Sequence, residues 1–259
     1  MLRTEGLTKR FGGITAVDNV HFELAEDELC SLIGPNGAGK TTFFNLLTGS
    51  LSPTAGQIYF DGQDVTDLTP QETASLGIHR SYQITNVFPN SSVRENVRIA
   101  AQASDPRSSW TMWRNASAFD EHVQAAEDVL ARVDLAARAD ESAKHLSHGE
   151  KRKLEVAIAL AGDPDVLLLD EPNAGVSSES VGDIVALIED VATDHAVLLV
   201  EHNMDVVMTV SDRIVVLNQG AVIADDVPAA VRGDERVQEA YLGGYEGGQT
   251  DEAAEEGVA

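Results

Sequence analysis

One segment, residues 34–41, constrains the fold of this chain more than any other. Its sequence, GPNGAGKT, fits the phosphate-loop pattern G-x-x-x-x-G-K-[ST]. An apolar strand pattern ends at Ile33 directly before it, and an apolar helical pattern follows from Phe43. A strand, a glycine-rich loop and a helix in this order form a βα unit that binds phosphate. The sequence therefore predicts an α/β fold with a nucleotide site, and a plain glycine turn before a helix is the weaker alternative.

The residues of this loop have distinct expected roles. Lys40 is expected to reach the β- and γ-phosphates, and the Thr41 hydroxyl is expected to hold Mg²⁺. Thr42 would steady the α-phosphate through its N–H or its hydroxyl. The loop positions expected to surround the phosphate oxygens with main-chain N–H groups are Gly34, Asn36, Gly37, Ala38 and Gly39.

A second apolar strand pattern ends in two carboxylates. Residues 166–169 form a continuous apolar run, which suits a buried parallel strand, and Asp170 and Glu171 follow it directly. Asp170 can orient Mg²⁺ directly or through water, and Glu171 can polarise the water that attacks the γ-phosphate. Strand ends often carry solvated acids, so this motif is weak alone. Together with the phosphate loop it predicts a hydrolytic site.

The rest of the chain divides into strand-like and helical regions without an internal repeat. Residues 1–33 and 56–69 read as strands and turns, whereas helix formers dominate from residue 93 to residue 146 and indicate a helical insert. Within that insert, residues 104–115 are expected to form a loop or a broken helix. The continuous apolar run at residues 196–200 predicts a further buried parallel strand.

The charge of the chain limits the surfaces that it can bind. It has 43 acidic and 18 basic residues, so its formal net charge is -25. An acidic surface of this kind resembles that of proteins adapted to high salt, and it argues against broad contact with nucleic acid or anionic lipid. No apolar run approaches the ~20 residues of a membrane helix, and the start has no signal-peptide core, so we expect a cytoplasmic location. The single cysteine, Cys30, excludes an internal disulfide and is expected to be a buried hydrophobe.

Residues 146–150, Leu-Ser-His-Gly-Glu, resemble the signature motif of ATP-binding-cassette (ABC) ATPases, whose usual form is Leu-Ser-Gly-Gly-Gln. His148 and Glu150 depart from that form. The resemblance implies that the Ser147 hydroxyl, the Gly149 N–H and a helix N-terminus form a second phosphate cradle. Taken alone, a serine at a helix start is more often an N-cap. The position of this motif upstream of Asp170 favours the signature.

The other motifs of the family occur in order. Phe11 matches the aromatic residue that stacks on adenine, although packing at a strand edge is the alternative. Gln83 matches the glutamine that contacts Mg²⁺ and water and reports to the membrane subunit. His202 matches the histidine that contacts the γ-phosphate and holds Glu171 and the water in place. Ser177 stands where the family usually has an aspartate, which puts coupling across a dimer through that residue in doubt.

The resemblance implies a P-loop NTPase of the ABC type, with a RecA-like core, an N-terminal antiparallel β-subdomain and a helical insert subdomain. One cassette covers residues 2–243. The core and β-subdomain take residues 2–92 and 147–243, and the helical subdomain takes residues 93–146. Residues 244–259 are expected to be an acidic, disordered tail. ATP and Mg²⁺ are the expected cofactors, and a head-to-tail dimer with an identical or sister chain is expected to complete each site.

Three segments, residues 10–17, 201–208 and 239–243, are similar to those of branched-chain amino-acid importer ATPases, as is the enlarged helical region around Trp110 and Trp113. The partners then implied are a second ABC ATPase subunit, two transmembrane permease subunits and, indirectly, an external solute-binding protein. The chain would lie on the inner face of the cell membrane, without nucleic acid and without lipid insertion. Alternatives are a urea or amide importer, a lipid or lipopolysaccharide exporter, and a soluble non-transport ABC ATPase. The signature and His202 argue against a kinase or GTPase.

Overall fold

The structure is a computed structural model that describes residues 1–81, 87–104 and 116–246, with the backbone alone for residues 116–119 and 242–246. An antiparallel sheet near the N-terminus has the strand order β2-β1-β4-β5. Its strands are β1 (Leu2–Phe11), β2 (Ile14–Leu24), β4 (Ala55–Phe60) and β5 (Gln63–Asp64). This sheet confirms the predicted antiparallel β-subdomain.

A second sheet forms the centre of the molecule, with the strand order β10-β9-β3-β8-β7-β6. Its strands are β3 (Leu29–Ile33), β6 (Ile78–Ser81), β7 (Val166–Asp170), β8 (Ala196–Val200), β9 (Arg213–Asn218) and β10 (Ala221–Asp226). All neighbouring pairs are parallel except β9 and β10. The carboxyl ends of β3, β7 and β8 therefore share one edge, where ligands bind in open α/β sheets.

The helices that the structure describes are α1 (Lys40–Leu47), α2 (Pro70–Ser75), α3 (Val93–Ser104), α4 (Ala116–Arg132), α5 (His148–Leu160), α6 (Ser178–Val191), α7 (Met204–Val210), α8 (Pro228–Gly233) and α9 (Glu235–Glu246). Helices α3 and α4 and two short 3-10 turns lie in the region predicted as the helical insert. Helix α9 extends to Glu246, and the rest of the predicted tail lies outside the described residues, as do Trp110 and Trp113. None of the described helices is long and apolar enough to span a bilayer.

The central sheet is buried on both faces, because its strands alternate their side chains between hydrophobic cores on opposite sides of the sheet. In β7, Leu167 and Leu169 pack in a core with α3 to α7, whereas Leu168 packs with α1 and the β-subdomain. Cys30 lies in this second core, where burial raises the pKa of its thiol to about 12. This placement confirms Cys30 as a buried, unreactive side chain.

Candidate functional site

The phosphate loop passes from β3 into α1 so close to its neighbours that side chains are excluded at two positions. A Cβ atom at Gly34 would lie 2.1 Å from the Leu217 carbonyl oxygen. A Cβ atom at Gly39, whose φ is +106°, would lie 2.2 Å from the Ala16 carbonyl oxygen. Glycine is therefore required at both positions. Further along the loop, the Ala38 N–H donates to the Pro35 carbonyl at 3.1 Å.

Lys40, the first residue of α1, folds its side chain back over the loop. Its Nζ donates to the carbonyl oxygens of Gly34 at 2.6 Å and Pro35 at 3.1 Å. Burial lowers the pKa of the ammonium group, while the charges of Glu171 and Asp170 act in the opposite direction. A cation held at the loop by neutral carbonyl groups is available to a phosphate that enters.

Glu171 and His202, predicted from separate motifs, come together beside the loop. His202 Nε2 lies 2.6 Å from Glu171 Oε1. Glu171 begins the turn after β7 with a φ of +49°, and its N–H donates to the Val200 carbonyl at 2.8 Å. A non-glycine residue in this region is strained by about 1–2 kcal/mol, and such strain is concentrated at functional sites.

A cleft of about 220 Å³ joins these residues. It is lined by Ala16, Asn36, Gly37, Ala38, Gly39, Lys40, Thr41, Thr42, Glu171 and His202. The predicted site residues that the structure describes but that do not line the cleft are Phe11, Gly34, Ser147, Gly149 and Asp170. Phe11 is 47% exposed at the end of β1, with Lys9 Nζ 5.3 Å from its ring centroid. Gln83 lies outside the described residues.

Asp170 is buried at the end of β7 and pairs with an arginine that the sequence reasoning did not identify. Arg80 Nη2 on β6 donates to Asp170 Oδ2 at 2.5 Å, and Arg80 Nη1 donates to Asn45 Oδ1 on α1 at 2.6 Å. Arg80 therefore ties the carboxylate to the helix that follows the phosphate loop. No local signal marks this pair, because it depends on β6 lying beside β7.

The donors near the loop fit a magnesium ion that is bound together with phosphate. The described residues contain no group of three His, Cys, Asp or Glu side chains that could hold a metal by themselves. They do place the exposed Thr41 on α1 and the Asp170 carboxylate at the end of β7, near enough for its charge to act on Lys40. Mg²⁺ typically takes one or two carboxylates, water and substrate phosphate oxygens, which matches this small set.

Ser147 is the N-cap of α5, so the signature segment shows the capping geometry that was the alternative for a lone serine. Its hydroxyl accepts from the Glu150 N–H at 3.3 Å, and Glu150 Oε2 accepts from the Ser147 N–H at 2.8 Å. Burial alone would raise the pKa of Glu150, but hydrogen bonds to its carboxylate from the main chain and the side chain of Ser147, together with the Arg138 charge, bring it below its ordinary value. Glu150, which stands where the family usually has glutamine, thus forms a reciprocal capping box with Ser147. Gly149 is half-buried next to Ser180, outside the chain's own cleft.

Glu201, between β8 and His202, is a second residue that the sequence reasoning missed. Its side chain is 4% exposed. Oε1 accepts from the Asn173 N–H at 2.9 Å, and Oε2 accepts from the N–H groups of His202 at 3.0 Å and Asn203 at 3.3 Å. An acidic residue that follows an apolar strand directly was the available signal.

The chain matches two family models. The model described as "ABC transporter" covers residues 17–174, and the model described as "Branched-chain amino acid ATP-binding cassette transporter" covers residues 221–247. Among solved structures, a nucleotide-free ATP-binding cassette from an ABC transporter has a TM-score of 0.82 and 30% identity, over 93% of this chain and 98% of that one. A dimeric cassette bound to ADP and Pi has a TM-score of 0.75 and 26% identity, over 88% and 99%.

Curated relatives match almost end to end. The high-affinity branched-chain amino acid transport ATP-binding protein BraF of Pseudomonas aeruginosa is 39% identical over 94% of this chain and 98% of its own length. The corresponding protein LivG of Escherichia coli is 38% identical over the same shares. A probable LivG of Archaeoglobus fulgidus is 34% identical over 94% and 95%. The chain therefore belongs to the ATP-binding subunits of ABC transporters and is an ABC-type ATPase.

Proposed function

We propose that this chain binds and hydrolyses MgATP as the nucleotide-binding subunit of an importer for branched-chain or other amino acids. The assignment of ATP hydrolysis rests on the contact between Glu171 and His202, which line the same cleft as the phosphate loop. The match of residues 221–247 to the branched-chain amino acid family supports the cargo class, as do the names of the relatives above.

The phosphate loop and α1 bind the triphosphate. Lys40 exchanges its contacts with loop carbonyls for β- and γ-phosphate oxygens, and loop N–H groups surround the β-phosphate. Thr41, Asp170 and Gln83 would hold Mg²⁺, and the ion would neutralise part of the phosphate charge. Thr42 steadies the α-phosphate, and Phe11 stacks on adenine.

Glu171 and His202 act on the reacting phosphate. Glu171 polarises the attacking water, and the 2.6 Å contact from His202 Nε2 keeps the carboxylate oriented towards it. When nucleotide is bound, His202 also contacts the γ-phosphate, so the two side chains respond to its presence and its loss.

A second ATPase subunit, identical or a sister chain, completes the site. The cleft brings together loop residues, Glu171 and His202 but not Ser147 or Gly149, so one chain's cleft contains only part of the set that the resemblance assigns to a nucleotide. Ser147 and Gly149 lie outside this cleft, where they are available to the partner's nucleotide. ATP then favours a closed dimer through contacts that the open form lacks.

The remaining partners follow from the transporter family. Two permease subunits hold the ATPase on the inner face of the membrane, through protein contacts instead of lipid. An external solute-binding protein delivers the amino acid to the permease. Dimer closure and reopening supply the mechanical step that drives import.

The test of hydrolysis is Glu171→Gln in the full chain. The variant is expected to bind ATP as the parent does and to accumulate as a closed dimer, while kcat falls at least about hundredfold because the water is no longer polarised. Glu189→Gln, an exposed position on α6, is the matched control and should leave kcat unchanged. ATP hydrolysis by Glu171→Gln at the parent rate would contradict the assignment.

The test of cargo uses the intact complex with its permease subunits in proteoliposomes. ATP-dependent uptake of labelled leucine, delivered by the complex's own binding protein, is the expected result. Uptake of urea without uptake of leucine or another amino acid would replace the proposed cargo. Copurification with RNA in place of membrane subunits would overturn the transport function.

A further inference from the structure

We propose that Glu201 is a positioning residue that holds Glu171 and His202 in their mutual orientation. This inference rests on the proposed function, because it assumes that those two side chains act on ATP. Glu201 itself lies behind the cleft and does not line it. Its role is therefore exerted through the two loops that it contacts.

The two oxygens of the Glu201 carboxylate bind different loops. Oε1 accepts from the Asn173 N–H, in the segment that follows Glu171, at 2.9 Å. Oε2 accepts from the N–H of His202 at 3.0 Å and from that of Asn203 at 3.3 Å, in the segment that precedes α7. A buried carboxylate needs such donors, because burial without them strongly disfavours its charged form. The carboxylate and the two loops are thus mutually dependent.

Glu201 occupies the point where β7 and β8 diverge. The last pair in their ladder is Asp170 with Val200, and the Glu171 N–H adds one bond to the Val200 carbonyl at 2.8 Å. Beyond that bond the two main chains separate. The Glu201 side chain extends the hydrogen bonding between them by linking Asn173 to the opposite loop.

These contacts close a ring around the strained turn at Glu171. The Val200 carbonyl holds the turn at Glu171, and Glu201 holds it at Asn173, two residues later. The ring closes where His202 Nε2 reaches Glu171 Oε1 at 2.6 Å. Since the φ of +49° at Glu171 is unfavourable, release of one anchor is expected to let the turn relax and the carboxylate move.

The first test is Glu201→Gln in the full chain, with ATP hydrolysis measured at saturating Mg²⁺. A glutamine has one acceptor oxygen and one donor nitrogen, so it cannot accept from both loops. We expect kcat to fall about tenfold to hundredfold, as for a catalytic group misplaced by about 1 Å, while KM for ATP changes less than about twofold. Glu201→Asp keeps both acceptor oxygens on a shorter stem and should recover part of kcat.

A matched control separates this role from the loss of any partly buried acid that accepts a main-chain hydrogen bond. Glu28 also accepts a backbone N–H, that of Ala25 at 2.8 Å, and lies away from the cleft. Glu28→Gln should leave kcat at the parent value. A fall in kcat equal to that of Glu201→Gln would overturn the proposal, because general destabilisation would then explain both.

A double-mutant cycle tests whether Glu201 acts through His202. In the His202→Ala background, Glu201→Gln should lower kcat by less than about threefold, because the orientation that it maintains is already lost. If Glu201→Gln lowers kcat in the His202→Ala background by the same factor as in the parent protein, the proposal is overturned. If Glu201→Gln does not fold, hydrogen exchange on the parent protein decides. Slow exchange at the Asn173 and His202 amides supports the positioning role of Glu201, and fast exchange overturns it.

The outcomes also separate this inference from the proposed function. A parent protein without ATPase activity, with its permease subunits present, overturns the proposed function and the inference with it. An active parent, an inactive Glu171→Gln variant and a Glu201→Gln variant with parent kcat overturn the positioning role alone.

Discussion

Two helices of this protein begin at positions where phosphate is expected, and the chain builds the two N-termini differently. Helix α1 begins after Gly39, which has no side chain to cap the free N–H groups, and its first turn contains no acid. Helix α5 begins after Ser147, whose hydroxyl and whose partner Glu150 satisfy each other's N–H groups. Unpaired N–H groups at a helix start attract anions, so α1 is left open for a ligand, whereas at α5 the capping box already satisfies the N–H groups of Ser147 and Glu150.

This difference indicates that the two helix N-termini serve different steps, nucleotide binding by one chain and closure of the dimer. In the proposed function, the α1 end holds a nucleotide within one chain, together with Lys40 and the loop. The α5 end, already capped by an acid, has less to offer a free nucleotide and is suited to one that a partner subunit already holds. Changes at α1 should therefore alter binding by the isolated chain, and changes at α5 should alter helix stability and dimer closure.

The largest effect is expected from Gly39→Ala, which places a methyl group at the open end. Its Cβ would meet the Ala16 carbonyl at 2.2 Å, at a φ of +106° that side chains disfavour. We expect a loss of at least about 2–3 kcal/mol in the free energy of unfolding, and no ATP binding in a calorimetric titration. Gly182→Ala, on the exposed face of α6, has space around its Cβ and should be neutral or stabilising by up to about 1 kcal/mol. If Gly39→Ala binds ATP with the affinity of the parent protein, then glycine at the N-cap of α1 is not required for ATP binding.

Lys40→Ala is expected to have the next largest effect. It removes the cation that the loop holds at 2.6 Å from Gly34, and with it a charged contact worth about 1.5–3 kcal/mol. ATP affinity of the isolated chain should fall about tenfold to hundredfold, as measured by titration with a fluorescent nucleotide. The unfolding midpoint should change little, because the loss of two carbonyl hydrogen bonds and of the attraction to Glu171 and Asp170 is offset by no longer burying an ammonium group. If the ATP affinity of Lys40→Ala is unchanged, the phosphates of ATP do not bind at Lys40.

The open end was predictable from the sequence and the capped end only in part, for physical reasons. The phosphate loop is a run of consecutive residues whose backbone is determined locally, so residues 34–41 indicate both its shape and its ligand. The Ser-x-x-Glu spacing of Ser147 and Glu150 is likewise local and could have predicted the capping box. The contacts of Arg80 with Asp170 and of Glu201 with Asn173 depend on strand order, which no local pattern encodes.

Ser147→Ala tests the capped end and should have a smaller effect. It removes the acceptor of the Glu150 N–H and should lower the free energy of unfolding by about 1 kcal/mol, measured by urea denaturation. ATP affinity at dilutions where the chain is monomeric should remain at the parent value, since Ser147 does not line the chain's own cleft. A fall in affinity under those conditions would mean that both helix ends bind the same nucleotide within one chain.

Glu150→Gln should have the smallest effect on stability and the sharpest dependence on pH. The amide keeps an acceptor for the Ser147 N–H, but it loses the charge beside the helix N-terminus and the 2.8 Å ion pair with Arg138. The expected loss is about 0.5 kcal/mol in the free energy of unfolding near neutral pH. Because the pKa of Glu150 is lower in the folded state than in the unfolded chain, its contribution is present above the ordinary glutamate pKa and disappears as the pH falls through the lowered value. The parent and the variant should therefore have the same free energy of unfolding in urea denaturation at acid pH.

In the background of Glu171→Gln, the Glu150→Gln substitution should strengthen ATP-driven dimerisation, because it removes a negative charge from the surface that meets the partner's phosphate. Weaker dimerisation would mean that the carboxylate serves the interface as well as the helix.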